Sequence, residues 1–333
     1  MAVYSDYSPA ELAALLRPWD VGDLERAQPI AAGVSNSNWH VHTRRGAART
    51  RHVLTVFERR IDPAELPFFL GLVDHLGRGG LPVPAPVPTV SGELWTWHRG
   101  KAAALLHFLP GEVIDRPDAA QARSAGRALA RIHLRAASFA KGRRQTLGRA
   151  AWRRMLDAVG PDRLATLAPD LPALLAEELA FLDRNWPDRL PSGIAHCDLF
   201  PDNVLLDGAR VTGLLDFYFA ATDFYAYDLA IAVLAWCFDE RDGAFARPRL
   251  EAMIAGYEEH RPLLAAERRA MPVLLRGGCL RFIASRAADW FDADAPSAGG
   301  RKDPLAFVRR LHVCRSLDAS FFSDPPQGAI AGA

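Results

Sequence analysis

Ile194-Ala195-His196-Cys197-Asp198-Leu199-Phe200-Pro201-Asp202-Asn203-Val204-Leu205-Leu206 decides the fold, together with Val211-Thr212-Gly213-Leu214-Leu215-Asp216-Phe217 just beyond it. Two apolar runs, Val204 to Leu206 and Val211 to Leu215, flank the turn signal Asp207-Gly208 and predict a β-hairpin. An antiparallel pair brings its far ends together, so Asn203 and Asp216 should be neighbours, with Asp198 on the loop that enters the hairpin. The result is one separate carboxylate beside an Asn/Asp oxygen pair. Phosphoryl transfer calls for this set: a carboxylate to orient a hydroxyl and take its proton, and oxygen ligands for magnesium. A lone Asp-x-x-x-x-Asn would read as ordinary turn chemistry. Here His196, Pro201, the hairpin and the second Asp stand with it.

Composition bounds the rest. The chain has 333 residues, 50% of them hydrophobic, enough for a sizeable core and for two lobes. Its 40 basic and 39 acidic residues give a net charge of +1, so no basic excess points to nucleic acid or membrane. Cys197, Cys237, Cys279 and Cys314 form no CxxC pair, which argues against a zinc ribbon or a disulfide framework and for reduced thiols in the cytoplasm. Met1 to Asp6 carries neither a basic nor an apolar leader segment, and the longest apolar run, Leu229 to Phe238, is too short to span a bilayer. Residues 323–333, rich in Pro, Gly and Ala, are expected to be disordered.

Along the chain, Ser8-Pro9-Ala10-Glu11 predicts a capped helix with Leu12, Leu15 and Leu16 on one face. Within Ile30 to His42 a Gly/Ser/Asn turn is expected to run into an alternating strand, with further strands over Arg51 to Phe57, Leu94 to Trp97 and Ala102 to Phe108. Pro63 to Leu76 predicts a helix, and the Pro-rich Leu81 to Pro88 an extended connector. Further helices are expected over Ala119 to Leu134, Leu171 to Asn185, Tyr227 to Phe238, Leu250 to Tyr257, Ala265 to Trp290 and Pro304 to Leu317. His133 is expected to be packed or capping.

The pattern His-x-Asp-x-x-x-x-Asn, followed by an apolar strand ending in Asp216-Phe217, resembles the catalytic and metal loops of the aminoglycoside-phosphotransferase kinases, distant relatives of the protein kinases. The resemblance implies an α+β, bilobal protein-kinase-like fold. The N-lobe, 1–108, would hold an antiparallel sheet plus a helix, and the mostly helical C-lobe, 109–322, the catalytic and acceptor groups. It implies Asp198 as catalytic base, Asn203 and Asp216 as Mg2+ ligands, and His196 and Asp228 as supports of the catalytic loop. ATP would lie under Ser35, Asn36, Ser37 and Asn38, with adenine held by backbone groups near Leu106 to Phe108, His107 among them. Thr55 stands where many of these kinases carry a phosphate-binding Lys, which leaves the source of that cation open; Arg59 and Arg60 lie close by. Glu65, the candidate for that Lys's helix partner, is then expected to be a first-turn Glu on the helix dipole.

Phe200-Pro201-Asp202-Asn203, Asp216-Phe217-Tyr218-Phe219-Ala220, Leu66 to Leu72, Leu280-Arg281-Phe282 with Arg286 and Asp289-Trp290, and Lys302-Asp303-Pro304-Leu305 together resemble the bacterial homoserine kinases of this fold, over nearly the whole chain. That resemblance implies transfer of the γ-phosphoryl group of ATP to the side-chain hydroxyl of L-homoserine in threonine biosynthesis, by a monomer or homodimer. A planar Arg fork suits the single carboxylate of an amino acid. Arg281 or Arg286 is expected to read it, and Asp289 the ammonium. Other small hydroxylated acceptors (choline-, aminoglycoside- or methylthioribose-like) and a non-catalytic binding protein on the same scaffold stay open at this point.

Overall fold

Ser8 opens the first helix, α1 (Pro9–Leu16), through the capping box its sequence predicts. Its Oγ accepts the Glu11 N–H and the Glu11 carboxylate accepts the Ser8 N–H, at 3.3 and 2.8 Å. The computed structural model describes residues 7–30, 36–58, 61–239, 243–292 and 301–322. Ser35, Arg59, Arg60 and the 323–333 tail lie outside them.

The antiparallel sheet that follows has five strands: β1 (Asp23–Pro29), β2 (Asn36–Arg45), β3 (Ala48–Phe57), β4 (Thr96–His98) and β5 (Lys101–His107), in the order β1-β2-β3-β5-β4. Alternation along a strand sends successive side chains to opposite faces. On one face Trp39, Val41, Leu54, Val56, Ala103 and Leu105 bury against Leu12, Leu15 and Leu16 of α1. On the other, Phe57, Ala104 and Leu106 join α2 (Leu66–Arg78) in the main core. Each such apolar side chain taken from water stabilises by roughly 1.5–3 kcal/mol. The alternation therefore also fixes which polar side chains look into the cleft beneath the sheet.

The helical lobe comprises α3 (Ala119–Ala136), α4 (Arg149–Val159), α5 (Pro161–Leu167), α6 (Leu171–Asn185), α7 (Tyr225–Trp236), α8 (Arg247–Glu258), α9 (Ala265–Phe291) and α10 (Leu305–Cys314). Every residue of α7 from Ala226 to Trp236 is buried, as its unbroken apolar run requires. α3 and α8 touch backbone to backbone: a Cβ on Gly126 would lie 2.1 Å from the Met253 carbonyl, so only glycine fits there. α4 and α5 fill a stretch where no element was expected, although Ala151, Trp152, Leu156 and Val159 bury one face of α4. Two short pairs complete the lobe: β6 (Ser192–Ala195) with β9 (Ala221–Phe224), and β7 (Val204–Asp207) with β8 (Arg210–Leu214). The second pair is the predicted hairpin. Among the described residues no helix is long and apolar enough to cross a membrane.

Candidate active site

The hairpin pairs Val204 with Leu214, and the Leu215 N–H donates to the Asn203 carbonyl at 2.9 Å. Asn203 and Asp216 therefore sit side by side at its open end, as its two apolar runs predict. The Asn203 side-chain N–H2 donates to the Asp198 carbonyl at 2.8 Å and to its carboxylate at 3.3 Å. That ties Asp198 to the pair and leaves the amide oxygen as the atom with affinity for a hard cation. Asp216 is held in the left-handed region, φ 55 and ψ 67, a conformation that costs a non-glycine residue free energy and clusters at functional sites. Burial raises the Asp198 carboxyl to about 6, against the pull of Arg281 and Lys302. Burial and then the neighbouring Asp198 raise Asp216 to about 6. Two carboxylates that disfavour each other's charge, beside an amide oxygen, fit an oxygen-ligated divalent cation.

The loop is braced from behind. Asp228, at the start of α7 and wholly buried, accepts the His196 and Cys197 N–H groups, both at 2.7 Å, and His133 Nε2–H at 2.9 Å. Burial alone would raise its pKa; the His133 hydrogen bond and the backbone donor outweigh it and hold the carboxyl below its ordinary value. Burial keeps His133 neutral, and its Nδ1 accepts from the Tyr257 hydroxyl at 2.7 Å, across the tight α3–α8 contact. The sequence placed His133 as packed or capping; it is the third donor on the bracing Asp. His196 is also buried and neutral: its Nε2–H donates to the Leu215 carbonyl at 2.9 Å and its Nδ1 accepts the Asp198 N–H at 3.2 Å. One imidazole thus spans the catalytic loop and the residue before Asp216. Trp236, at the end of α7, donates to the Leu199 carbonyl at 2.8 Å.

On the nucleotide side, alternation divides the expected residues. Asn36 and Asn38 share the cleft face with Thr55, whereas Ser37 points the other way and donates to Glu58 at 2.7 Å. The Asn36 side-chain oxygen is buried without a partner among the described residues, as expected of a group awaiting a ligand. Thr55 is buried and donates to the Asn38 side chain at 2.8 Å. His107 faces away from the cleft beside His52, and its N–H is taken by the Ala85 carbonyl. Phe108 meets His40 edge-on, and the Arg51 guanidinium lies 3.6 Å above its ring. Of the expected nucleotide residues, Asn36, Asn38 and Thr55 thus share the sheet face that carries Phe57, whereas the Ser37 and His107 side chains lie on the other. Glu65 is more than a first-turn acid. It takes a two-pronged ion pair at 2.6 and 3.1 Å from Arg143, a residue singled out by no local signal, whose guanidinium also donates to the Ala220 carbonyl at 3.3 Å.

On the acceptor side, Arg281 lies beneath the catalytic loop. It is 2% exposed, donates to the Cys197 carbonyl at 2.5 Å, and reaches to 4.0 Å from the Asp198 carboxylate. That placement suits support of the loop better than capture of a substrate carboxylate. Arg286, 9% exposed, donates to the Asp303 carbonyl at 3.0 Å and covers the Phe307 ring. Asp289 is exposed near the end of α9. Cys197 is buried at φ 64, and its thiol is pushed well up by burial, consistent with a structural role.

Comparison with known proteins agrees with this geometry. Residues 26–263 match the model of the "Phosphotransferase enzyme family". The chain is 42% identical to a homoserine kinase of Xanthobacter autotrophicus, over 96% of this chain and 98% of that one. It is 45% identical to a homoserine kinase of Beijerinckia indica, over 93% and 95%. Among solved structures, a spectinomycin phosphotransferase in complex with ADP and spectinomycin aligns with a TM-score of 0.70 at 12% identity, covering 95% of this chain and all of that one. An amicoumacin kinase in complex with AMP-PNP, Ca2+ and its antibiotic aligns at 0.67 and 15%, covering 93% of each chain. Fold, loop geometry and near-full-length identity converge: the chain belongs to the phosphotransferase enzyme family and, within it, to the homoserine kinases.

Proposed function

We propose that the chain phosphorylates the side-chain hydroxyl of L-homoserine with ATP, giving O-phospho-L-homoserine for threonine synthesis in the cytoplasm. The observation that carries the catalytic part is the geometry at the hairpin. Asp198 is tied to Asn203, which lies beside Asp216, and the whole loop hangs on the buried Asp228. Asp198 orients the acceptor hydroxyl and takes its proton. Asn203 and Asp216 would hold Mg2+, which supplies charge neutralisation on the phosphates. Asn36, Asn38 and Thr55 would face the phosphates and Phe108 the base, from the cleft side of β2, β3 and the end of β5. Arg281 keeps the Asp198 loop in place. The transition state is loose, so positioning and charge neutralisation supply most of the rate. We place the lobe boundary at residues 108/109 and leave monomer and homodimer as equal readings.

Homoserine carries its hydroxyl one methylene further out than serine. A nucleophile withdrawn by roughly 1 Å from the in-line position reacts badly even when bound. The test is ATP turnover with L-homoserine, L-serine, choline and kanamycin. L-Homoserine should exceed L-serine by at least about a hundredfold in kcat/KM. Preference for choline or kanamycin would refute the acceptor and leave the kinase; no turnover with any acceptor would refute both.

A further inference from the structure

The anionic end of an amino-acid acceptor needs a cation near Asp198 that a ligand can reach. Three cations act on the Asp198 carboxylate: Arg281, Lys302 and Arg286. Arg281 is sealed beneath the loop at 2% exposure and donates through one terminal nitrogen to the Cys197 carbonyl. Arg286 is almost as buried and holds the Asp303 carbonyl. Lys302 differs. Its side chain is 62% exposed, and its ammonium lies 3.4 Å from Asp202 and 5.9 Å from the centre of the Phe200 ring, over the catalytic loop itself.

We propose that Lys302, brought to the catalytic loop from the segment preceding α10, binds the carboxylate of the acceptor; the assignment rests on the homoserine reading above. The backbone around Lys302 is pinned. The Asp303 carbonyl accepts from Arg286 on α9, and its carboxylate caps the Leu305 N–H at 2.8 Å and meets Arg309 of α10 at 3.3 Å. Phe200, Phe282 and Phe307 pack the loop, α9 and α10 together, with ring centres 5.1 and 4.6 Å apart along the row. A fixed backbone thus carries a mobile ammonium. The only ion pair Lys302 makes among the described residues is with Asp202, itself 58% exposed. Such a pair is worth about 0–1 kcal/mol in water, so a ligand carboxylate can displace it at small cost. Lys302 acts on Asp198 without an ion contact to it. In extended homoserine the hydroxyl and carboxylate are separated by roughly 5 Å. A hydroxyl at Asp198 therefore leaves the carboxylate a step away, within the sweep of a four-carbon stem.

The experiment measures steady-state kinetics of Lys302→Ala and Lys302→Arg with L-homoserine and with 3-aminopropan-1-ol, which is homoserine without its carboxylate. Lys302→Ala should raise the homoserine KM more than tenfold and leave the KM values for ATP and 3-aminopropan-1-ol within twofold. Lys302→Arg should recover part of the loss. Equal losses for both acceptors, or a raised ATP KM, would reassign Lys302 to the transferred phosphoryl group and overturn the proposal. An unchanged homoserine KM would overturn it outright. If the wild-type protein does not use homoserine at all, the underlying reading fails with it, and that failure is visible before any variant is made.

Discussion

Asp198→Asn should abolish turnover and at the same time stabilise the metal-free protein. The carboxylate carries a charge that burial disfavours: its pKa rises from 3.8 to about 6 in the fold, with the pull of Arg281 and Lys302 already counted. About two units correspond to an upper bound of about 3 kcal/mol. The side chain keeps 18% exposure, so solvent lowers the figure, and about 1–2.5 kcal/mol is expected. A carboxyl whose folded pKa lies above its unfolded value holds its proton more tightly in the fold. Below pH 4 both states are protonated and the group contributes nothing. As pH rises through about 6 the fold must give up that proton, and the full cost stands above it. Asparagine keeps the size and the acceptor for Asn203 and carries no charge. Thermal unfolding in EDTA should therefore show Asp198→Asn melting about 2–6 °C above wild type at pH 8 and level with it at pH 4. Activity should fall about a thousandfold or more. An equal or lower melting temperature at pH 8, or the same gain at pH 4, would show that Asp198 is not a desolvated carboxylate. Turnover within tenfold of wild type would show that another group is the base.

Asp216→Ala should weaken Mg-ATP binding as well as turnover, while Asn203→Ala, which removes a neutral ligand, should recover more at high magnesium; titration of activity against Mg2+ separates them, and unchanged metal dependence in both would refute the site. Asp228→Ala strands the His196, Cys197 and His133 N–H groups in the core; at about 1–3 kcal/mol for each unsatisfied donor it should cost at least about 3 kcal/mol by urea unfolding. Because the folded pKa of Asp228 is depressed, its stabilisation is present above about pH 4 and is lost as pH falls below, so the wild-type–variant gap should narrow in acid. Thr55→Val should cost about 1–2 kcal/mol, because the buried Thr55 hydroxyl donates to the half-buried Asn38 side chain, and should leave kcat nearly unchanged; a large fall in kcat would make the hydroxyl part of the phosphate site.

What the sequence made legible is what lies close together along it. The loop and hairpin from His196 to Asp216 form one short segment, so residue type, turn chemistry and alternation sufficed to bring Asp198, Asn203 and Asp216 together. The same holds for the Ser8 cap and the strand faces, because period and capping are local. Asp228 was legible through the resemblance. What remained hidden joins distant segments. His133 and Asp228 are 95 residues apart, Glu65 and Arg143 are 78, and Asp202 and Lys302 are 100. No periodicity encodes such pairs; helix packing and the course of the connectors create them. Arg281 is a case of the same kind. An arginine beside aromatics on α9 reads as a ligand group, and its burial beneath Cys197 is what the sequence could not show.

Thr55 is the departure whose consequences run furthest. A lysine there would give the helix acid its cation from within the sheet. With a threonine hydrogen-bonded to Asn38 instead, Glu65 takes its cation from Arg143 in the helical lobe. The same guanidinium holds the Ala220 carbonyl, and the Arg143 carbonyl accepts the Thr222 N–H at 2.7 Å. The strand after the metal loop is thereby fastened to the start of α2. Beside it, the Tyr218 ring meets Phe57 and Phe69 edge-on at 5.8 and 5.6 Å. Edge-to-face pairs of this kind add about 0.5–1.5 kcal/mol each beyond the area they bury. An ion pair and two aromatic contacts thus link β3, α2 and the segment behind Asp216. Glu65 is thereby tied, through Arg143 of the helical lobe, to the segment that follows Asp216.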